Sequence, residues 1–214
     1  MNVLDNYTGS DFCGIEIKKM GSCGNNCSYI YDGANYLLEI VGGTMYDWGT
    51  GVDEHECDWK NVTSLIQTIV ISGTKNIGKN SFVGATSLTS VIMQSSVETI
   101  GENAFVGCTA LETINLVSGL KTIKKNAFSG CSGIESIIIP EGVTTIEDGA
   151  FGNMEKLKTV TIPPSVEIGS TSVFSESKQL STIIMKGNGA MKEYDGTNQP
   201  WNSIKDQIKT QINI

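Results

Sequence analysis

The chain has 214 residues, a formal net charge of −8 and a hydrophobic share of 39%, enough for one sizeable core. The acidic balance and the lack of any basic stripe exclude nucleic acid as a partner, because phosphate binding runs on displaced counterions. No apolar run approaches the ~18 residues that a membrane-crossing helix needs, and 24 glycines against 4 prolines suit many tight turns between short strands.

Residues 1–64 are expected to form a flanking module rich in β-structure and loops. Its start, Met1-Asn-Val-Leu-Asp-Asn6, carries neither a basic region nor an apolar stretch, so no export signal is visible there. The module holds four of the six cysteines (Cys13, Cys23, Cys27, Cys57) and the single histidine, His55. Cys23, Cys27 and Cys57 with His55 would make up a Cys3His zinc set. Their spacings, Cys23-x3-Cys27 and His55-x-Cys57, are not the usual two-residue knuckles, and one-residue spacing rarely lets two ligands converge. A disulfide among Cys23, Cys27 and Cys57, or free thiols beside a solvated acidic loop, are the alternatives. The same acidic loop lacks the alternating oxygens and central glycine of the best-known calcium loop. No metal or cofactor is therefore assigned. Sequons stand at Asn6, Asn26 and Asn61, and they matter only in a eukaryotic secretory route.

Residues 65–186 are organised by a 23-residue period. Phe82, Phe105, Phe128, Phe151 and Phe174 repeat at that interval, with Ile77, Ile100, Ile123 and Ile146 upstream of them and Leu88, Leu111, Ile134, Leu157 and Leu180 downstream. The first copy is one residue short, and the fifth closes up around Val166 and Ile168. Each copy opens as Leu-x-x-Ile-x-Ile, as in Ile134-Glu-Ser-Ile137-Ile-Ile139, whose alternation is strand-like. Pro140 and Pro163 follow it in two copies, where a ladder N–H is no longer needed. A coil this short cannot bury its apolar face alone, so stacked copies must bury it jointly. The expected fold is a right-handed repeat solenoid with a parallel ladder of short strands on its concave face and irregular turns on its convex face. Strands are expected near 69–71, 91–93, 114–116, 137–139, 160–162 and 183–185. The phenylalanine column reads as a core spine. Cys108 and Cys131 share a column with Ala85 and Met154 and read as buried thiols.

Residues 187–214 leave the period and form a C-terminal flanking module. Met191…Tyr194-Asp195…Trp201 follows the same order as Met45-Tyr-Asp-Trp48…Trp59. Ile212-Asn-Ile214 should then match Ile69-Val-Ile71 and begin a further coil. An apolar strand at a solenoid's end is open to end-to-end self-association.

The coil Leu-x-x-Ile-x-Ile-Pro…Val-x-x-Ile…Ala-Phe-x-Gly-Cys, clearest at 134–156 and 88–110, resembles the BspA-like leucine-rich repeats. The stretch Gly21-Ser-Cys23-Gly24…Met45-Tyr-Asp-Trp48 is similar to a module that often precedes them. The resemblance covers about 21–214. It implies a surface or secreted protein of gut or oral bacteria, or of some parasitic protists. It also implies an adhesin for host or extracellular-matrix proteins such as fibronectin.

No nucleophile stands beside a base, and neither a Gly-x-Ser-x-Gly elbow nor a phosphate-binding glycine loop is present. An enzyme is not expected. The candidate binding residues are the outward strand positions of the ladder: Val70, Ile92, Asn115, Ile138, Thr161 and Ile184. Four of the six are β-branched aliphatics where an idle face would be polar. Such a strip marks a protein-binding site, or it simply stabilises exposed strands. An intracellular interaction scaffold and a structural spacer are the competing functions.

Overall fold

The structure is a computed structural model that describes residues 18–48, 59–168, 172–186 and 210–213. Alternating apolar residues place one strand per coil on a front face: β5 (Thr68–Ser72), β7 (Ser90–Met93), β10 (Ser136–Ile138), β12 (Thr159–Ile162) and β14 (Thr182–Met185). Neighbouring coils pair in parallel and in register, Thr68 against Ser90 and Ser136 against Thr159 against Thr182. A second ladder runs up the back through two-residue strands: β6 (Asn76–Ile77), β8 (Thr99–Ile100), β9 (Thr122–Ile123), β11 (Thr145–Ile146) and β13 (Glu167–Ile168). The result is a parallel-strand solenoid of about five turns with little helix. The short first copy loses its residue between front and back strands, since β5 is offset from β7 by 22 positions and β6 from β8 by 23.

Two turns per coil need a left-handed backbone, and the sequence supplies residues that tolerate it. Asn80, Asn103, Asn126 and Gly149 occupy one such column with φ of 56°, 55°, 55° and 62°. Gly84, Gly107, Gly130, Asn153 and Glu176 occupy the other, with φ of 71°, 72°, 76°, 54° and 60°. Glycine and asparagine pay little for this conformation, whereas Glu176 is strained in it.

Between the two ladders the rings form one column. Phe82, Phe105, Phe128, Phe151 and Phe174 are fully buried and stack with centroids 5.1, 5.3, 5.6 and 5.9 Å apart. Trp59 stacks on Phe82 at 5.8 Å and donates its indole N–H to the Ser81 carbonyl, so the column begins one coil before the first phenylalanine. Cys108 and Cys131 are free, buried thiols. Each Sγ donates to the phenylalanine carbonyl of the preceding coil, Phe82 and Phe105, as the Ser177 hydroxyl does to Phe151. The Cys108 side chain hydrogen-bonded to it, together with burial, holds the Cys131 thiol well above its usual range.

The N-terminal module is built into the same stack. β1 (Lys18–Asn25), β2 (Cys27–Asp32) and β3 (Leu37–Val41) form an antiparallel meander, β4 (Thr44–Met45) returns onto β1, and β3 pairs in parallel with β5. A Cys23–Cys27 disulfide bridges the bulged β1–β2 hairpin. That bond consumes two of the thiols weighed for zinc, while His55, Cys57 and Cys13 lie outside the described residues. Tyr29 and Trp48 pack edge-on against Trp59 and seal the first coil, and a short 3-10 helix, Lys60–Leu65, leads into β5. Of the sequons, Asn26 sits at the β1–β2 turn and Asn61 in that helix, while Asn6 lies outside the described residues.

Two expectations need correction. Residues 114–116 form no strand, so the front ladder divides into a six-stranded sheet ending at β7 and a four-stranded sheet beginning at β10. The terminal strand β15 (Thr210–Asn213) does continue the ladder on β14, but Gln211 lies opposite Ile183 and Ile212 opposite Ile184. The register is one residue away from the match of Ile212 with Ile69. The coil leading to β15 runs 28 positions from Thr182 to Thr210 instead of 23, so matching by apolar pattern alone slipped by one.

Candidate protein-binding face

Because strand residues alternate between faces, the residues between the buried positions of each front strand project from the ladder. Register aligns five of the six candidates, Val70 with Ile92 and Ile138 with Thr161 and Ile184. Asn115 holds the equivalent position in the coil that lacks a front strand. Ile92 is 54% exposed and Ile138 62%, among the most exposed large apolar side chains described. Asn115 is exposed, and Val70 and Ile184 are half-buried. Thr161 is different: it is 7% exposed. Ile138 and Ile184 stand in register on either side of it, and Thr161 offers little surface of its own.

The row does not stop at the repeats. Val70 pairs with Glu39, Glu39 with Ile30, and Ile30 with Met20. Met20 is 52% exposed and Ile30 half-buried, so beyond the carboxylate of Glu39 the N-terminal module adds two apolar members to the row. A parallel row lies two residues earlier in each strand, formed by Thr68, Ser90, Ser136, Thr159 and Thr182. From β5 to β14 these two rows carry no charged side chain. The face is thus a neutral strip of aliphatic groups beside hydroxyls on an acidic molecule, suited to burying apolar area against a partner.

Charge collects elsewhere. Lys75–Glu98 and Lys79–Glu102 link adjacent coils next to the back ladder at 3.5 and 3.3 Å, and Glu135–Lys158 does so at 3.1 Å just before the front strands. These pairs are exposed and add little stability. Among the described residues no group of three or more His, Cys, Asp or Glu is placed to hold a metal ion, and no helix is long and apolar enough to cross a membrane.

Sequence comparison matches residues 59–192 to the BspA type leucine rich repeat region, in six copies. The match begins at Trp59, where the ring column begins. Among curated proteins none matches. Among solved structures, a leucine-rich repeat protein from Bacteroides ovatus aligns with a TM-score of 0.55 and 28% identity, over 76% of this chain and 48% of its own. The chain therefore spans about half the length of that protein. A leucine rich repeat protein of T. pallidum aligns at 0.49 and 24% identity, over 73% of this chain and 67% of its own. A leucine rich cell surface protein of Faecalibacterium prausnitzii aligns at 0.45 and 24%, over 76% and 53%.

Proposed function

Since the chain belongs to the BspA-type leucine-rich-repeat family, we propose that it is a non-catalytic, adhesin-type surface module that engages host or matrix proteins through the front ladder. Repeat modules of this kind are generally protein-interaction and surface-protein modules, typically without catalysis. The observation that carries the reading is the neutral aliphatic row, with Ile92 and Ile138 left 54% and 62% exposed where solvation alone would favour polar side chains. The N-terminal module acts as cap and as part of the binding face.

The Cys23–Cys27 disulfide favours a surface or secreted location over an intracellular scaffold, because such bonds persist in oxidising compartments. A pure spacer has no use for an uncharged apolar row. The test is solid-phase binding of the purified chain to extracellular-matrix proteins, fibronectin included, at physiological salt. Saturable binding that survives raised ionic strength is expected, since from β5 to β14 the face carries no charge to be screened. Binding to none of them, or binding that salt abolishes, contradicts the reading.

A further inference from the structure

The break in the front ladder lies in the middle of the candidate face, between its two most exposed isoleucines. In coils that pair, two consecutive amides share the carbonyl of the coil before: Thr89 and Ser90 on Gln67, Lys158 and Thr159 on Glu135, Ser181 and Thr182 on Lys158. Among the described residues, no such pair joins Glu112 and Thr113 to Thr89, or Glu135 and Ser136 to Glu112. Both interfaces of the third coil therefore lack this backbone pairing at the front, although Leu111 and Ile114 stay buried. At the back they are closed, because β8, β9 and β11 pair without interruption. Phe105 and Phe128 stack at 5.3 Å, two degrees from parallel.

The side chains give a reason. Glu112 and Glu135 are exposed at equivalent positions of adjacent coils, and like charges opposite one another disfavour strand pairing. Lys158 binds Glu135 from the far side at 3.1 Å, which draws that carboxylate towards the fifth coil. Asn115 replaces a β-branched residue between Ile92 and Ile138, and asparagine is a poor strand former. On the neighbouring coil the Ser96 hydroxyl is buried without a partner.

We propose that the third coil is a hinge: the solenoid opens and closes at residues 112–118 while the ring column and back ladder hold its two halves together. The movement changes the distance between Ile92 and Ile138, and so fits the apolar row to partners of different curvature. This consequence rests on the proposed binding face, but the hinge itself does not, and its test uses the free protein.

Hydrogen exchange on the full chain reads it directly. Amides of 112–118 are expected to exchange at least about 100-fold faster than those of 159–162, while 122–128 stay protected. The double variant Glu112→Lys/Asn115→Ile should slow exchange at 112–118 by about tenfold or more, by placing a cation beside Glu135 and a β-branched residue in the row. Glu112→Thr alone should move the rate in the same direction. Wild-type protection of 112–118 within about threefold of 159–162 overturns the proposal. So does equally fast exchange at 122–128, which would mean that the whole coil unfolds, and so does a rate that none of these substitutions changes.

Discussion

Replacing Phe128 by alanine removes a ring that is fully buried and held between two others, Phe105 at 5.3 Å and Phe151 at 5.6 Å, both within two degrees of parallel. Truncating a buried phenylalanine costs about 3–5 kcal/mol, the upper end applying where the surroundings cannot collapse into the cavity. Collapse is hindered here because each neighbouring ring is fixed by its own coil and the back ladder β8–β9–β11 runs through all three coils without interruption. The loss of two stacked pairs, each worth about 0.5–1.5 kcal/mol beyond its area, places the variant in the upper part of that range, at about 4–5 kcal/mol. For a chain of this size each kcal/mol shifts Tm by about 2–4 °C, which puts the variant about 8–20 °C below the parent. Thermal and urea melts measure it, with Val83→Ala as control, since Val83 is 45% exposed and should change stability by no more than about 0.5 kcal/mol. A loss below about 1 kcal/mol for Phe128→Ala would refute the ring column as the core.

Glu176→Gly should raise stability by about 0.5–1 kcal/mol, because relief of left-handed strain exceeds the added freedom of the unfolded chain; a lowered Tm would contradict the strain. Cys108 and Cys131 should stay unreactive toward a thiol reagent in the folded protein and react once it is denatured, since both are fully buried and hydrogen-bonded to carbonyls. Because the Cys131 thiol sits well above its usual range, mildly alkaline pH should not speed its reaction while the fold holds. Native-state labelling of these two positions, located by peptide mapping, would overturn this.

The coil and its core were legible because one interval fixes them: the five phenylalanines return at 23 residues, as do the back-ladder isoleucines from Ile77 to Ile146, and only Ile168 comes one residue early. Trp59 obeys the same interval before Phe82, yet it escapes a search for phenylalanine because residue type, not spacing, changes there. Met20 and Ile30 reach the candidate face through an antiparallel meander, whose register against the repeats no period encodes. The missing strand at 114–116 was illegible for another reason. Ile114 and Leu116 keep the pattern, but pairing there is decided by what the adjacent coils present, Glu135 opposite Glu112. The slipped register of β15 was recoverable, since Trp59 precedes Thr68 by the same interval as Trp201 precedes Thr210.

The claim that the front ladder is the binding face is tested most directly by two double variants compared in one assay. Ile92→Lys/Ile138→Lys puts charge at the centre of the row, and Leu65→Lys/Val83→Lys puts the same charge on exposed apolar residues outside it, 48% and 45% exposed. Both should melt within about 2–4 °C of the parent, since exposed substitutions cost little. Binding to the captured matrix protein should fall at least about 100-fold for the first, as loss of a central apolar anchor implies, and stay within about threefold for the second. Equal affinities for the two variants, with both folded, would place the site elsewhere and contradict the account.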